Sequence, residues 1–69
     1  MGKSVMTVEY YTDPDKLLAA VYVPETTAYD SAEAIGRALI SVWRRNEIVA
    51  HLLDKDGNLK DQLPIYRRR

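Results

Sequence analysis

The sequence predicts an α+β domain of two layers, in the order strand, strand, helix, strand, strand. The one helix packs on one face of a small, mostly antiparallel sheet. Three observations predict it. Residues 4–11 and 17–23 are rich in β-branched and aromatic side chains and flank a short turn-forming segment. Residues 31–46 carry apolar side chains at helical spacing. Residues 47–53 and 58–66 form a second pair of strand-like runs around Asp54-Lys55-Asp56-Gly57. A hairpin, a covering helix and a second hairpin close into one two-layer unit.

In the first strand Val5, Met6, Thr7, Val8, Tyr10 and Tyr11 favour extended backbone. Thr12-Asp13-Pro14-Asp15 reads as a turn, with proline at the position that its fixed φ suits. Leu17 opens the second strand, and Pro24 ends it because proline has no N–H for the ladder. Residues 25–29 connect to the helix, which Asp30 or Ser31 is expected to cap. Asp30 and Glu33 stand at capping-box spacing, and Glu33 and Arg37 at the spacing of a helical ion pair. Arg44 and Arg45 fall in the last turn, where the helix dipole favours cations. In the last strand Pro64 is expected to interrupt an edge.

The helix shows two apolar rows. Ile35, Ala38, Leu39 and Val42 form the face expected to meet the sheet. Gly36, Ile40 and Trp43 form a second row, read as a partner surface. Glycine admits another backbone, and tryptophan is enriched at interface hot spots. On the strands, Met6, Val8 and Tyr10 and likewise Ile48, Ala50 and Leu52 are expected to point inward. Val5, Thr7 and Tyr11 and likewise Val49, His51 and Leu53 then point outward, joined by Leu18 and Tyr22. That outer face is too apolar for open water, which predicts a second interface.

Length and composition bound the function. The 69 residues make a single domain with a basic tail at residues 67–69. A chain this short buries only about 60% of its unfolded surface and tends to need a staple. It has no cysteine, so neither a disulfide nor a cysteine metal site can serve, and self-association, as a homodimer, is the staple expected. The absence of cysteine fits a reducing cytosol, and neither a membrane-length apolar run nor a signal-peptide pattern is read, so a cytoplasmic setting is expected. Net charge is zero but unevenly spread. Residues 1–35 hold two lysines against six acids, and residues 36–69 eight basic residues against four acids.

No catalytic, cofactor or metal motif is present, and the expectation is a non-enzymatic protein. His51 is the one histidine and lacks the further ligands or base partners that catalysis or metal binding needs. Asp54-Lys55-Asp56-Gly57-Asn58 starts like a calcium loop, but the twelfth position is Ile65 instead of glutamate, so it reads as a hairpin turn. Gly2-Lys3-Ser4 lacks the upstream glycine of a phosphate-binding loop. The residues expected to bind a protein partner are Gly36, Ile40, Trp43, Arg44, Val49, His51, Tyr11 and Tyr22. The alternative is a nucleic-acid-binding protein in which sheet tyrosines stack on bases and Tyr66, Arg67, Arg68 and Arg69 meet the strand. Zero net charge weighs against it.

Asp30, Glu33, Ala34, Ala38, Val49, His51, Asp56 and Gly57 resemble a pattern in short uncharacterised bacterial and phage domains. In those, a helix with an Asp-x-x-Glu-Ala start is followed by a strand ending in an Asp-Gly turn. The architecture is also similar to that of small phage-encoded inhibitors of host enzymes. The resemblance covers less than half of the chain and implies a ββαββ fold and a role as a regulator or inhibitor of a host protein complex. The chain departs from the DNA-mimicking inhibitors, since it lacks their strong acidity.

Overall fold

The computed structural model describes residues 4–13 and 15–67. The elements are β1 (Val5–Thr12), β2 (Lys16–Pro24), a single 3-10 turn (Glu25–Thr27), α1 (Ala28–Val42), β3 (Glu47–Leu53) and β4 (Leu59–Tyr66). The four strands form one antiparallel-paired sheet in the order β2-β1-β3-β4. The helix links β2 to β3 across the sheet, so β3 docks on the free side of β1. The ββαββ architecture read from the sequence is the one observed.

Alternation on the strands sets the two faces. Val8, Tyr10, Ile48, Ala50, Leu52 and Ile65 point to the helix and are fully or almost fully buried. The first hairpin closes through a 2.7 Å bond from the Asp15 N–H to the Thr12 carbonyl. Pro14, expected in that turn, lies outside the described residues. In the second hairpin one Asp54 carboxylate oxygen accepts the N–H groups of Asp56 and Asn58, each at 2.9 Å. These bonds, that of Asn58 first, hold the Asp54 carboxyl below its ordinary range. Gly57 takes the positive φ of 85° that the turn requires. The segment is a hairpin turn, as its spacing suggests.

Four expectations are corrected. First, the buried row of α1 is Ala28, Ala32, Gly36 and Ile40, while Ala38 is exposed and Val42 is 70% exposed. Ile35 and Leu39 only flank the core. The reason is steric: small side chains let the helix axis approach the sheet, and the large side chains come from the strands. A Cβ on Gly36 would overlap Ile65 Cδ1 and lie 3.2 Å from Tyr10 Cε1. The close approach expected at Gly36 is therefore made by the sheet. Gly36 and Ile40 are buried and form no outward row. Second, α1 starts earlier than expected. Its N-cap is Thr27, Asp30 lies in the first turn, and no capping box forms. The spacing of Glu33 and Arg37 does produce an ion pair at 2.7 Å.

Third, Pro64 does not interrupt β4. It pairs with Val49 inside a continuous strand. An edge strand needs its N–H groups on one side only, so proline is accommodated there. Fourth, Leu18 packs against the core instead of the outer face. The β1–β2 register shifts between Tyr10 and Tyr11, which pairs Tyr10 with Ala19 and Tyr11 with Leu17. Leu18 is the extra residue of that bulge, and Leu17 takes the outer position.

The helix ends in a Schellman motif. The Arg45 N–H reaches the Ile40 carbonyl at 3.0 Å and the Arg44 N–H reaches the Ser41 carbonyl at 3.3 Å. Arg44 holds φ at 55°, a left-handed conformation that suits glycine. Arg44→Gly is expected to stabilise the chain by about 0.5 kcal/mol, net of the added freedom of the unfolded glycine. A urea titration checks this: the midpoint rises if the strain at position 44 outweighs that freedom.

Candidate functional site, the open face of the sheet

The helix covers one face of the sheet and leaves the other bare. The registers lay out the bare face as a grid. Across β2, β1, β3 and β4, one row reads Tyr22, Thr7, Leu53, Leu59. The next reads Ala20, Glu9, His51, Gln62, and the third Leu17, Tyr11, Val49, Pro64. Glu47 and Tyr66 close the end.

The centre is polar and ordered. The Tyr11 hydroxyl donates to Glu9 Oε1 at 2.8 Å along β1. The Tyr11 ring stands over His51 with centroids 4.6 Å apart and a 36° tilt. Glu9 lies directly opposite His51 on the neighbouring strand. The bond to Glu9 raises the Tyr11 phenol above its ordinary pKa, with lesser contributions from desolvation and from the charges of Glu9 and Asp15. The bond to Glu9 fixes the direction of the Tyr11 hydroxyl.

Apolar and aromatic side chains surround this centre. Tyr22 is 79% exposed and Tyr66 59%, and Leu17, Val5 and Leu59 are about half exposed. At the end holding the β1–β2 turn, an open cleft of about 500 Å³ is lined by Tyr11, Val49, His51, Gln62, Asp13, Asp15 and Glu47, with Thr12 and Ile48 beneath. Its charge is acidic, and no lysine or arginine among the described residues lines it. Arg37 and Arg67 line a second groove against Ile40 and Ser41. Among the described residues no three histidine, aspartate or glutamate side chains group as a metal site.

Of the eight residues read as partner-binding, Tyr11, Tyr22, Val49 and His51 share this face. Trp43 and Arg44 belong to the helix end, where Trp43 is the C-cap and 37% exposed. Gly36 and Ile40 are in the core, as above. Of the residues read for nucleic acid, Tyr66 and Arg67 are exposed near one end of β4; Arg68 and Arg69 lie outside the described residues. Glu9, Leu17, Leu59 and Pro64 join the face without a sequence reading that names them as site residues. Strict alternation from Tyr11 is the signal that places Glu9; the β1–β2 bulge hides Leu17, and a register shift between Leu52 and Leu53 in the β3–β4 pair hides Leu59.

On the helix side, Tyr29 donates to the Asp61 carboxylate, which lowers the Asp61 pKa and raises that of Tyr29. This tie links the start of α1 to β4 and leaves the bare face untouched. Compared with models of known protein families, with curated proteins and with solved structures, the chain has no match. No helix among the described residues is long and apolar enough to cross a membrane.

Proposed function

We propose that this chain is a non-enzymatic protein-binding module whose working surface is the bare face of the sheet. One observation carries the reading: a face of mixed apolar and aromatic side chains surrounds an ordered Glu9–Tyr11–His51 centre. Exposed apolar and aromatic side chains gathered on one face are what protein interfaces use. Aromatic side chains give large contact area at low entropic cost. The role of regulator or inhibitor of a host complex, implied by the resemblance, is the form that a foreign partner on this face would give to the reading.

A nucleic-acid role draws support from three tyrosines, Tyr11, Tyr22 and Tyr66, on one face. The charges oppose it. Glu9 and Glu47 are on that face and Asp13 and Asp15 line its cleft, where a phosphate backbone needs cations. Val49→Glu places a charge in the third row and is expected to abolish protein association while the far-ultraviolet circular dichroism stays unchanged. Tagged wild-type and variant chains are compared in extract at high salt, with and without nuclease. Retention by the wild type and loss by the variant support the reading. Retention that vanishes with nuclease, or is indifferent to the variant, overturns it.

A further inference from the structure

We propose that the free edge of β2 pairs with the β2 of a second copy of this chain, antiparallel about a two-fold axis normal to the sheet. The two sheets then run on as one. This edge lies apart from the bare face, and what it binds is set by the backbone.

In an antiparallel ladder, successive residues turn their N–H and C=O groups alternately to one side and to the other. The Glu25 N–H donates to the Ser4 carbonyl at 3.0 Å, in line with the β1–β2 register. The pairs that exchange bonds are therefore Met6 with Val23, Val8 with Val21, and Tyr10 with Ala19. Ala20 and Tyr22 turn their N–H and C=O groups away from β1. β2 ends the sheet, and among the described residues no other backbone group bonds to either. The Arg67 N–H, bonded to the Asn46 carbonyl at 2.8 Å, sets the phase of β4 in the same way. There Ile65, Leu63 and Asp61 bond to β3, and Tyr66, Pro64 and Gln62 face outward. The two phases agree when carried through β1 and β3.

The two edges of the sheet differ in how they are guarded. On β4, Pro64 has no N–H to offer, and the Gln62 N–H is taken by the Asp61 carboxylate at 2.8 Å. Lys60 and Asp61 add charge beside them. Sheets blunt free edges with such devices. On β2, Leu17 to Val23 hold neither a charge nor a proline, and only Pro24 closes the end. A free, uncharged edge of this kind is a template for another strand.

A second β2 fits that template in one register. With the pairing centred on Val21, Ala20 of each copy exchanges bonds with Tyr22 of the other. Each Tyr22, 79% exposed, then lies beside the small Ala20 of the other copy on one side of the sheet. On the helix side Val21, half-buried, meets Val21. Centring on Ala20 would oppose Tyr22 to the bulge at Leu18, and centring on Tyr22 would oppose Ala20 to Pro24, which lacks the N–H. The fit on both sides of the sheet favours a second copy over an unrelated strand. No residue from 19 to 23 is charged, so the ladder sets no like charges together. Asp13, Asp15 and Lys16 at one end and Glu25 at the other are exposed and lie beyond it. A chain that buries only about 60% of its unfolded surface gains its staple this way.

The test combines sedimentation velocity with amide hydrogen exchange followed residue by residue. The wild type is expected to shift from monomer to dimer as concentration rises. The Ala20 and Tyr22 amides are expected to exchange freely when dilute and about tenfold or more slowly in the dimer, while the outward Tyr66 amide of β4 keeps its rate. Ala20→Pro copies onto β2 the device that β4 carries and removes a donor that no bond within the chain uses. It is expected to fold, by circular dichroism, and to weaken the dimer by about tenfold or more. Val49→Glu, on the bare face, is expected to leave the dimer intact. A wild type that stays monomeric at every concentration overturns the inference. So does a dimer in which the Ala20 and Tyr22 amides still exchange freely, or one that a folded Ala20→Pro variant forms equally well. A dimer that Val49→Glu dissolves belongs to the bare face and overturns it too. The exchange measurement needs no variant, so it decides the matter even if Ala20→Pro fails to fold.

Discussion

Tyr10→Ala is expected to remove a large share of the stability of the fold. Tyr10 is fully buried, stands under α1 and donates its hydroxyl to the Ala32 carbonyl at 2.7 Å. Deleting a buried aromatic ring costs about 3–5 kcal/mol. A chain of this length has a total stability of about 3–10 kcal/mol. The loss is a large share of the total, and the row of small helix residues has no bulky neighbour to collapse into the cavity. Tyr10→Phe keeps the ring and removes only the hydrogen bond, a loss of about 1 kcal/mol. The comparison separates packing from bonding: urea midpoints should fall slightly for phenylalanine and drastically for alanine.

The same residue sets the alkaline limit. Burial raises the Tyr10 phenol from the ordinary 10.0 to about 12 in the folded chain. The native state therefore favours the neutral phenol. Its contribution is fully present below pH 10 and is lost as pH rises through about 12. In Tyr10→Phe that loss should be absent, so the stability gap between variant and wild type narrows above pH 10. A constant gap up to pH 12 would mean that Tyr10 is not desolvated as its position implies.

Gly36→Ala is the second large effect. Its new methyl group would meet Ile65 Cδ1 and the Tyr10 ring. Ile65 is almost fully buried, and the Tyr10 ring is tied to Ala32, so neither can yield freely. Overpacking of this kind costs about 1–3 kcal/mol. Alanine returns up to about 1 kcal/mol through its higher helix propensity. The net expectation is a destabilisation of about 1–2 kcal/mol, against the stabilisation that helix propensity alone predicts. Adding Ile65→Val removes the clashing Cδ1, so the double variant is expected to be more stable than Gly36→Ala. If Gly36→Ala by itself stabilises the chain, the helix stands farther from the sheet than these contacts imply.

The strands are legible in the sequence because a half-buried strand has a fixed period of two. Alternation places Val8 and Tyr10, and Ile48, Ala50 and Leu52, inward, and they are buried. Two things break that legibility. A bulge inserts one residue with no sequence marker of its own, so Leu17 and Leu18 exchange places. The helix face is obscured for a different reason. Periodicity weights large side chains such as Val42 and Leu39, but a helix lying close to a sheet turns its smallest residues inward. Ala28, Ala32 and Gly36 carry little hydropathic signal, and only the bulk of Tyr10 and Ile65 opposite them shows why they are there.

The site divides along the same line. Tyr11, Tyr22, Val49 and His51 are legible as members of one outer face because they lie on strands in simple register. The pairing of Glu9 with His51 is not, since it depends on which strand lies beside β1. The crossover of α1, which brings β3 to β1 instead of β2, has no local signature in residues 24–47. The apolar bare face itself is foreseeable. Too many valines, leucines and tyrosines alternate with the core for a sheet facing water on one side.

Tyrosine nitration read by mass spectrometry tests the bare face most directly, because its control lies within the same molecule. Tyr22 and Tyr66 stand on that face, and Tyr29, about equally exposed with Tyr66, stands on the helix side. The chain is nitrated dilute and in the protein complex recovered from nuclease-treated extract. Tyr22 and Tyr66 are predicted to lose reactivity in an associated form while Tyr29 keeps its dilute value. Protection of Tyr29 instead, or unchanged reactivity of all three in every form, would contradict the assignment of the bare sheet face as the protein-binding surface.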